Sequence, residues 1–307
     1  MLAEVNPDSQ IVDISQRSRI CAVIVTYNIG EAIHPCFRSI RNQVGHVLIV
    51  DNGSSEATRQ ELKKIGDSGA VTIILNPQNE GLAHAFNQAV QWARGKEFQW
   101  ILTLDHDSEA TPGMVEKLVA AYATLEQQGI RNVGVVGANP FDRNVELFYQ
   151  HHPRPQGGPP VEDEEVISSG SLIRLSVFDA IGLFNEDLFM YYVDTDFCMR
   201  LVRGGLRVYV CPEAILLHRE GARRRRKILW LHANYDHYGK VARYYLTRNA
   251  IYMMRIHPVS QDDVYWMVRR NLKDHAKILL FDKERFSILW YSLRGLFDGL
   301  RGRVGPL

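Results

Sequence analysis

Asp105 and Asp107 stand one residue apart, directly after the apolar run Trp100-Ile101-Leu102-Thr103-Leu104. A strand that ends in two carboxylates places hard oxygen ligands outside the carboxyl end of a sheet, where ligands bind in open α/β folds. The pair therefore suits a divalent cation holding a diphosphate. On its own, Asp-His-Asp-Ser is equally an ordinary strand-end turn, because Asp and Ser are good turn formers. The neighbouring strand ends decide between the two.

The first apolar run ends in Thr26-Tyr27-Asn28, the second in Asp51-Asn52-Gly53-Ser54-Ser55 and the third in Asn76-Pro77-Gln78-Asn79-Glu80-Gly81. An Asp at such an end can accept the imide N–H of a pyrimidine, Tyr27 offers a stacking face, and Gly81 lets backbone approach a ligand. Together Thr26, Tyr27, Asn28, Asp51, Asn79, Gly81 and Asp105 read as one nucleotide-binding rim. Gly-x-x-x-x-Gly-Lys and Gly-x-Gly-x-x-Gly are both absent, which excludes a P-loop ATPase and a dinucleotide oxidoreductase.

Short apolar runs at 20–25, 46–50, 71–75, 99–104 and 133–137 predict strands, and helical patterns alternate with them at 31–42, 56–65, 81–93 and 112–128. That alternation predicts a nucleotide-binding α/β sheet covered by helices on both faces. The proline-rich stretch 153–160 predicts a loop, since proline excludes helix and interior strand. Beyond it the pattern predicts a strand over 166–174, a helix over 195–203 ended by Gly204-Gly205, a strand over 206–211, and helix from Tyr235 onward.

With 307 residues, an ordinary 46% of apolar residues and a net charge of +1, the chain is neither disordered nor a generally basic nucleic-acid binder. Cys21, Cys36, Cys198 and Cys211 show no C-x-x-C spacing and predict buried free thiols in a reducing compartment. Residues 1–19 are polar, without a leader layout. No stretch reaches the length of a spanning helix, so the expected location is the cytoplasm, with any membrane contact peripheral on the inner face of the cell membrane.

Five segments resemble the inverting family 2 glycosyltransferases of GT-A fold. They are Val23-Ile24-Val25-Thr26-Tyr27-Asn28, Val50-Asp51-Asn52-Gly53-Ser54, the stretch from Asn76 to Asn87, Leu104-Asp105-His106-Asp107-Ser108, and Phe189-Met190-Tyr191-Tyr192-Val193-Asp194-Thr195-Asp196-Phe197-Cys198-Met199-Arg200. The chain is most similar to bacterial rhamnosyltransferases that build O-antigen and other cell-wall polysaccharides. It departs from their usual pattern at His106, where Gln is typical, and at Tyr191, where Asp is typical. The resemblance implies a Rossmann-like mixed sheet in a catalytic domain over 20–221, with a donor half to about 140 and an acceptor half from about 161. An N-terminal extension over 1–19 would precede it, and a basic loop with a helical C-terminal region over 222–307 would follow.

The resemblance also implies roles. Asp107 would ligate Mg²⁺ or Mn²⁺, with Asp105 near the ribose or a metal-bound water and His218 completing the metal or diphosphate site. Asn87 joins the nucleotide set. Asp194 would be the base that deprotonates the acceptor, favoured as an anion at a helix start, with Asp196 and Arg200 orienting acceptor or base. Ser169 and Gly170 would line the donor sugar, and Arg223 and Arg224, in the run Arg223-Arg224-Arg225-Arg226-Lys227, would clamp the diphosphate. The expected donor is dTDP-L-rhamnose and the expected acceptor a saccharide or lipid-linked saccharide. The rival readings are a UDP-sugar donor (galactose or N-acetylglucosamine) and a non-catalytic nucleotide-sugar-binding protein. The apolar residues between Phe286 and Leu300 suit an interfacial helix, a homodimer interface or core.

Overall fold

A computed structural model describes residues 17–67, 69, 71–144, 146–149, 154–218, 222–228, 231–258, 269 and 284–307; for 222–237 only the backbone is described. A ten-stranded mixed sheet runs in the order β3-β2-β1-β4-β9-β6-β10-β5, with β7 beside β6 and β8 beside β10. The strands are β1 (Ile20–Thr26), β2 (His46–Asp51), β3 (Val71–Leu75), β4 (Trp100–Asp105), β5 (Glu109–Ala110), β6 (Val133–Asp142), β7 (Leu147–Phe148), β8 (Val161–Asp163), β9 (Ser171–Arg174) and β10 (Arg207–His218). Helices α1 (Ile33–Ile40), α2 (Glu56–Gly66), α3 (Leu82–Arg94), α4 (Met114–Gln127), α5 (Val177–Ile181) and α6 (Val193–Arg203) accompany the sheet.

Side-chain alternation along β1 divides the core between the two faces of the sheet. Ile20, Ala22 and Ile24 join Leu102, Leu104, Met114 and Leu118 on one side. Cys21, Val23 and Val25 join Phe86, Val90 and Phe197 on the other. A strand buried on both faces reads as a continuous apolar run, which is why these strands are plain in the sequence.

Strands β3, β2, β1 and β4 are parallel, so Thr26, Asp51, Leu75 and Asp105 end at one rim. β9 then runs antiparallel between β4 and β6, with Ser171 opposite Thr103. This brings 168–170 to the same rim. β10 is parallel to β6, and its far end pairs with the short β5, Leu217 opposite Glu109. That pairing carries His218 to the Asp107 turn.

Four sequence expectations change. The strand expected over 166–174 begins only at Ser171, because Gly170 turns the chain at φ +84°. The strand expected over 206–211 continues to His218 past a register irregularity between Cys211 and Ile215, so Pro212 and Glu213 mark a bulge and not an end. The basic run expected as a loop is a strand, β11 (Ala222–Ile228), paired antiparallel with β12 (Leu231–His237); helix begins at α7 (Lys240–Ile256) and not at Tyr235. α7 packs against α8 (Arg285–Arg301), where a side chain on Gly295 would come within 2.4 Å of the Tyr244 carbonyl oxygen. Among the described residues no helix is long and apolar enough to cross a membrane.

Candidate active site

The rim gathers Asp105, Asp107 and His218: one ligand atom from each lies within 4.8 Å of the others. Asp105 is the last residue of β4, Asp107 lies in the turn after it, and His218 is the last residue of β10. A hydrogen-bonded chain fixes the histidine. The Asp105 N–H donates to Ser169 Oγ (3.0 Å), Ser169 donates to Ser108 Oγ (2.8 Å), and Ser108 Oγ lies 2.7 Å from His218 Nδ1. The tautomer in which Nδ1–H donates to Ser108 leaves the Nε2 lone pair available as a ligand, the usual arrangement for a metal-bound histidine. His106, in contrast, turns away: its Nδ1–H donates to the Val25 carbonyl at 3.0 Å.

Burial raises the Asp105 carboxyl above the ordinary carboxylate range, and the nearby Asp107 and Asp194 carboxylates add to the rise against the opposing effect of His218. Two carboxylates held together at a partly desolvated rim are a site that gains from a cation. Two oxygen donors and one imidazole match Mg²⁺ or Mn²⁺ better than thiolate-seeking metals. The residues present therefore fit the expected ion.

Around this set the strand ends are tied to one another. Asp51 is fully buried; its carboxylate accepts from Thr26 Oγ1 (3.0 Å) and from the Ser54 N–H (3.1 Å). Asn28 binds the same turn, its N–H donating to Ser54 Oγ and its Oδ1 accepting from the Ser55 N–H, both at 2.8 Å. Tyr27 is 46% exposed, free to present its ring to a base. Asn79 Oδ1 accepts from Asn52 Nδ2 and from the Gly81 N–H, each at 3.0 Å. Asn52, which the sequence reading quoted but did not single out, is the centre of this network. It also donates to the Gly81 carbonyl and accepts from Asn76 Nδ2 and the Glu80 N–H.

Asp194 sits in the first turn of α6, partly buried. Its Oδ2 accepts from the Ser168 N–H at 3.3 Å and its Oδ1 from the Thr195 N–H at 3.0 Å. Burial raises its pKa despite these bonds. Ser168 belongs to the turn that also carries Ser169 and Gly170, so Asp194 and the Asp105 rim share one support. At Gly170 the backbone N–H donates to the Thr103 carbonyl (2.7 Å), and a Cβ would meet the Ala138 Cβ at 2.8 Å.

Other expected residues lie elsewhere. Asn87 is buried on α3 and bonds both the Phe184 carbonyl and N–H (2.9 Å each) and Glu186 (2.7 Å), away from the strand ends. Asp196 is fully buried, with Oδ1 2.8 Å from His257 Nε2 and Oδ2 accepting from Arg200 Nε at 2.8 Å. Arg200 also donates to the Ile181 carbonyl at 2.8 Å. The side chains of Arg223 and Arg224 lie outside the described residues. All four cysteines are buried free thiols.

Comparison with known proteins agrees with this geometry. The sequence model described as "Glycosyl transferase family 2" matches residues 21–182. The chain is 26% identical over 305 residues to a dTDP-rhamnosyl transferase, RfbF, of Shigella flexneri, covering 94% of this chain and 97% of that one. Among solved structures, S. aureus TarS 1-349 in complex with UDP-GlcNAc superposes with a TM-score of 0.55 at 15% identity, over 93% of this chain and 81% of that one. GalNAc-T7 with UDP, GalNAc and Mn²⁺ superposes with a TM-score of 0.57 at 15% identity, over 92% of this chain but 55% of that longer one. The shared fold is GT-A.

Proposed function

This chain belongs to glycosyl transferase family 2, and on that premise we propose that it moves L-rhamnose from dTDP-L-rhamnose, with inversion, onto a saccharide or lipid-linked saccharide in cell-surface polysaccharide synthesis. The observation that carries the chemistry is the convergence of Asp105, Asp107 and His218 at the rim, with Asp194 on the same support. The sugar rests on similarity along nearly the whole chain to a protein described as a dTDP-rhamnosyl transferase.

Asp107, Asp105 and His218 would hold Mg²⁺ or Mn²⁺, which when bound neutralises charge developing on the diphosphate. Asp194 accepts the acceptor hydroxyl proton as that oxygen bonds to the anomeric carbon and the bond from that carbon to the diphosphate oxygen breaks. Its raised pKa makes it a stronger base than an exposed carboxylate. Tyr27 stacks on the base, and the network centred on Asn52 keeps the strand ends in register beneath the nucleotide.

A UDP-sugar donor is the second reading, favoured by fold similarity to a protein solved with UDP-GlcNAc. Hydrolysis of a panel of nucleotide sugars with Mn²⁺ separates the two. Fastest turnover of dTDP-rhamnose supports the proposal; turnover confined to a UDP-sugar replaces it with the second reading, and none of either leaves a non-catalytic nucleotide-sugar-binding protein. The stripe Phe286, Trp290, Leu293, Phe297 and Leu300, exposed along α8 with Arg285, Arg294 and Arg301 on the same helix, supports peripheral contact with the membrane that would carry a lipid-linked acceptor.

A further inference from the structure

The chain entering α6 is strained. Phe189 (φ 63°, ψ −61°), Tyr191 (φ 62°) and Tyr192 (φ 63°) are non-glycine residues at positive φ, and the Met190 N–H closes a γ-turn onto the Leu188 carbonyl at 2.7 Å. Such residues persist only where the surroundings over-determine them. Asp194 follows two residues later.

The surroundings that hold this segment come from α7. Asn249, fully buried, has Nδ2 within 2.9 Å of the Leu188 carbonyl, 2.7 Å of Met190 and 3.0 Å of Tyr191, and its Oδ1 accepts from Arg248 Nε at 2.8 Å. These partners settle the orientation of the amide, because carbonyls only accept. Arg248 adds bonds from Nη2 to the Asp187 and Leu188 carbonyls at 3.0 and 2.9 Å. Eight residues after Asn249 the same helix ends at His257, its C-terminal cap, whose ring makes a second anchor on the far side of Asp194. Arg203 donates to His257 Nδ1, so Nε2 carries the proton and donates to Asp196 Oδ1. The segment is also tied to the donor rim. The Leu82 N–H donates to the Phe189 carbonyl at 2.6 Å, and a Cβ on Gly81 would sit 2.7 Å from that oxygen.

We propose that α7 and its C-terminal cap are a brace for Asp194: Asn249, which grips the backbone before it, and His257, which grips the Asp196 carboxylate after it, are positioning residues that deliver the Asp194 carboxylate to the rim in one place. This rests on the reading of Asp194 as the base. A buried primary amide is suited to the first anchor, since one compact planar group offers two N–H donors to a cluster of carbonyls. Aspartate in its place would set carboxylate oxygens against them.

The test uses the full-length protein and the nucleotide sugar that the wild type hydrolyses fastest, together with hydrogen exchange, which needs no turnover. Asn249→Asp and His257→Ala should lower kcat roughly tenfold or more while leaving donor KM within about twofold, because misplacing a catalytic group costs rate before binding. Exchange should quicken over 187–196 and stay unchanged over 100–107. His257→Gln, which keeps a donor, should recover most of the rate. In an Asp194→Asn background the same changes should add less than about twofold, since they act through that residue. If Asn249→Asp does not fold, Asn249→Ser takes its place. A full additional loss in the Asp194→Asn background, or unchanged exchange over 187–196, overturns the brace. An Asp194→Asn variant as active as wild type would instead overturn the base assignment, while the exchange result would still decide whether α7 holds the segment.

Discussion

Ser108 Oγ and His218 Nδ1 lie 2.7 Å apart, both residues buried, at the point where the Asp107 turn meets the end of β10. This contact joins two segments distant in sequence and orients the one imidazole of the rim. Second-layer partners of this kind set the tautomer and the direction of a ligating histidine, and their loss typically costs tenfold to a hundredfold in metal affinity.

Ser108→Ala should therefore weaken Mn²⁺ binding roughly tenfold while leaving the fold intact. Calorimetric titration of Mn²⁺ in the presence of nucleoside diphosphate checks this. Unchanged affinity would mean that His218 is not a ligand.

Asp194 and Asp196 should separate in opposite ways. Burial raises the folded-state pKa of Asp194, so its ionised form costs stability: the contribution favouring the fold is present at low pH and is lost as pH rises through the raised value. Asp194→Asn should thus keep or raise the melting temperature at neutral pH while losing on the order of a hundredfold in kcat. Asp196→Asn removes the charge from a buried contact with Arg200 and His257 and should lower stability by up to about 3–5 kcal/mol. A dead, stable Asp196→Asn beside an active Asp194→Asn would reverse the two roles.

The strands and the rim were legible because β1, β2 and β4 are dominated by apolar residues and stop abruptly at polar ones. The Asp105, Asp107 and His218 grouping was legible only through family resemblance, since the β5–β10 pairing that unites it involves a two-residue strand with no periodic signal. The partners of Asp196 and Asn87 were not legible, because a carboxylate in a helix's first turn looks the same in sequence whether it faces solvent or the buried His257 just past α7, and nothing local marks that Asn87 bonds to 184–186.

The four thiols should be silent in the native protein. Burial pushes Cys21 up to about 12 and raises Cys36, Cys198 and Cys211 as well. A pKa near 12 leaves only about one thiolate in ten thousand at pH 8. Ellman's reagent should label none of the four until denaturant is added, and then all; rapid native labelling would contradict the buried placement.

The α8 stripe gives a separate test of membrane contact. Trp290→Ser and Phe297→Ser should each weaken binding to vesicles of mixed zwitterionic and anionic phospholipid roughly tenfold or more, given about 1.5–3 kcal/mol per large apolar side chain buried. Unchanged vesicle binding with loss of a dimer in light scattering would assign the stripe to self-association.

The most direct test of the account is turnover of the preferred nucleotide sugar by Asp107→Ala and by wild-type protein in EDTA. The metal-dependent transferase reading predicts that both lose activity, that Mn²⁺ or Mg²⁺ restores the wild type alone, and that the variant melts within a few degrees of the wild type. Full turnover in EDTA, or in Asp107→Ala, would contradict it.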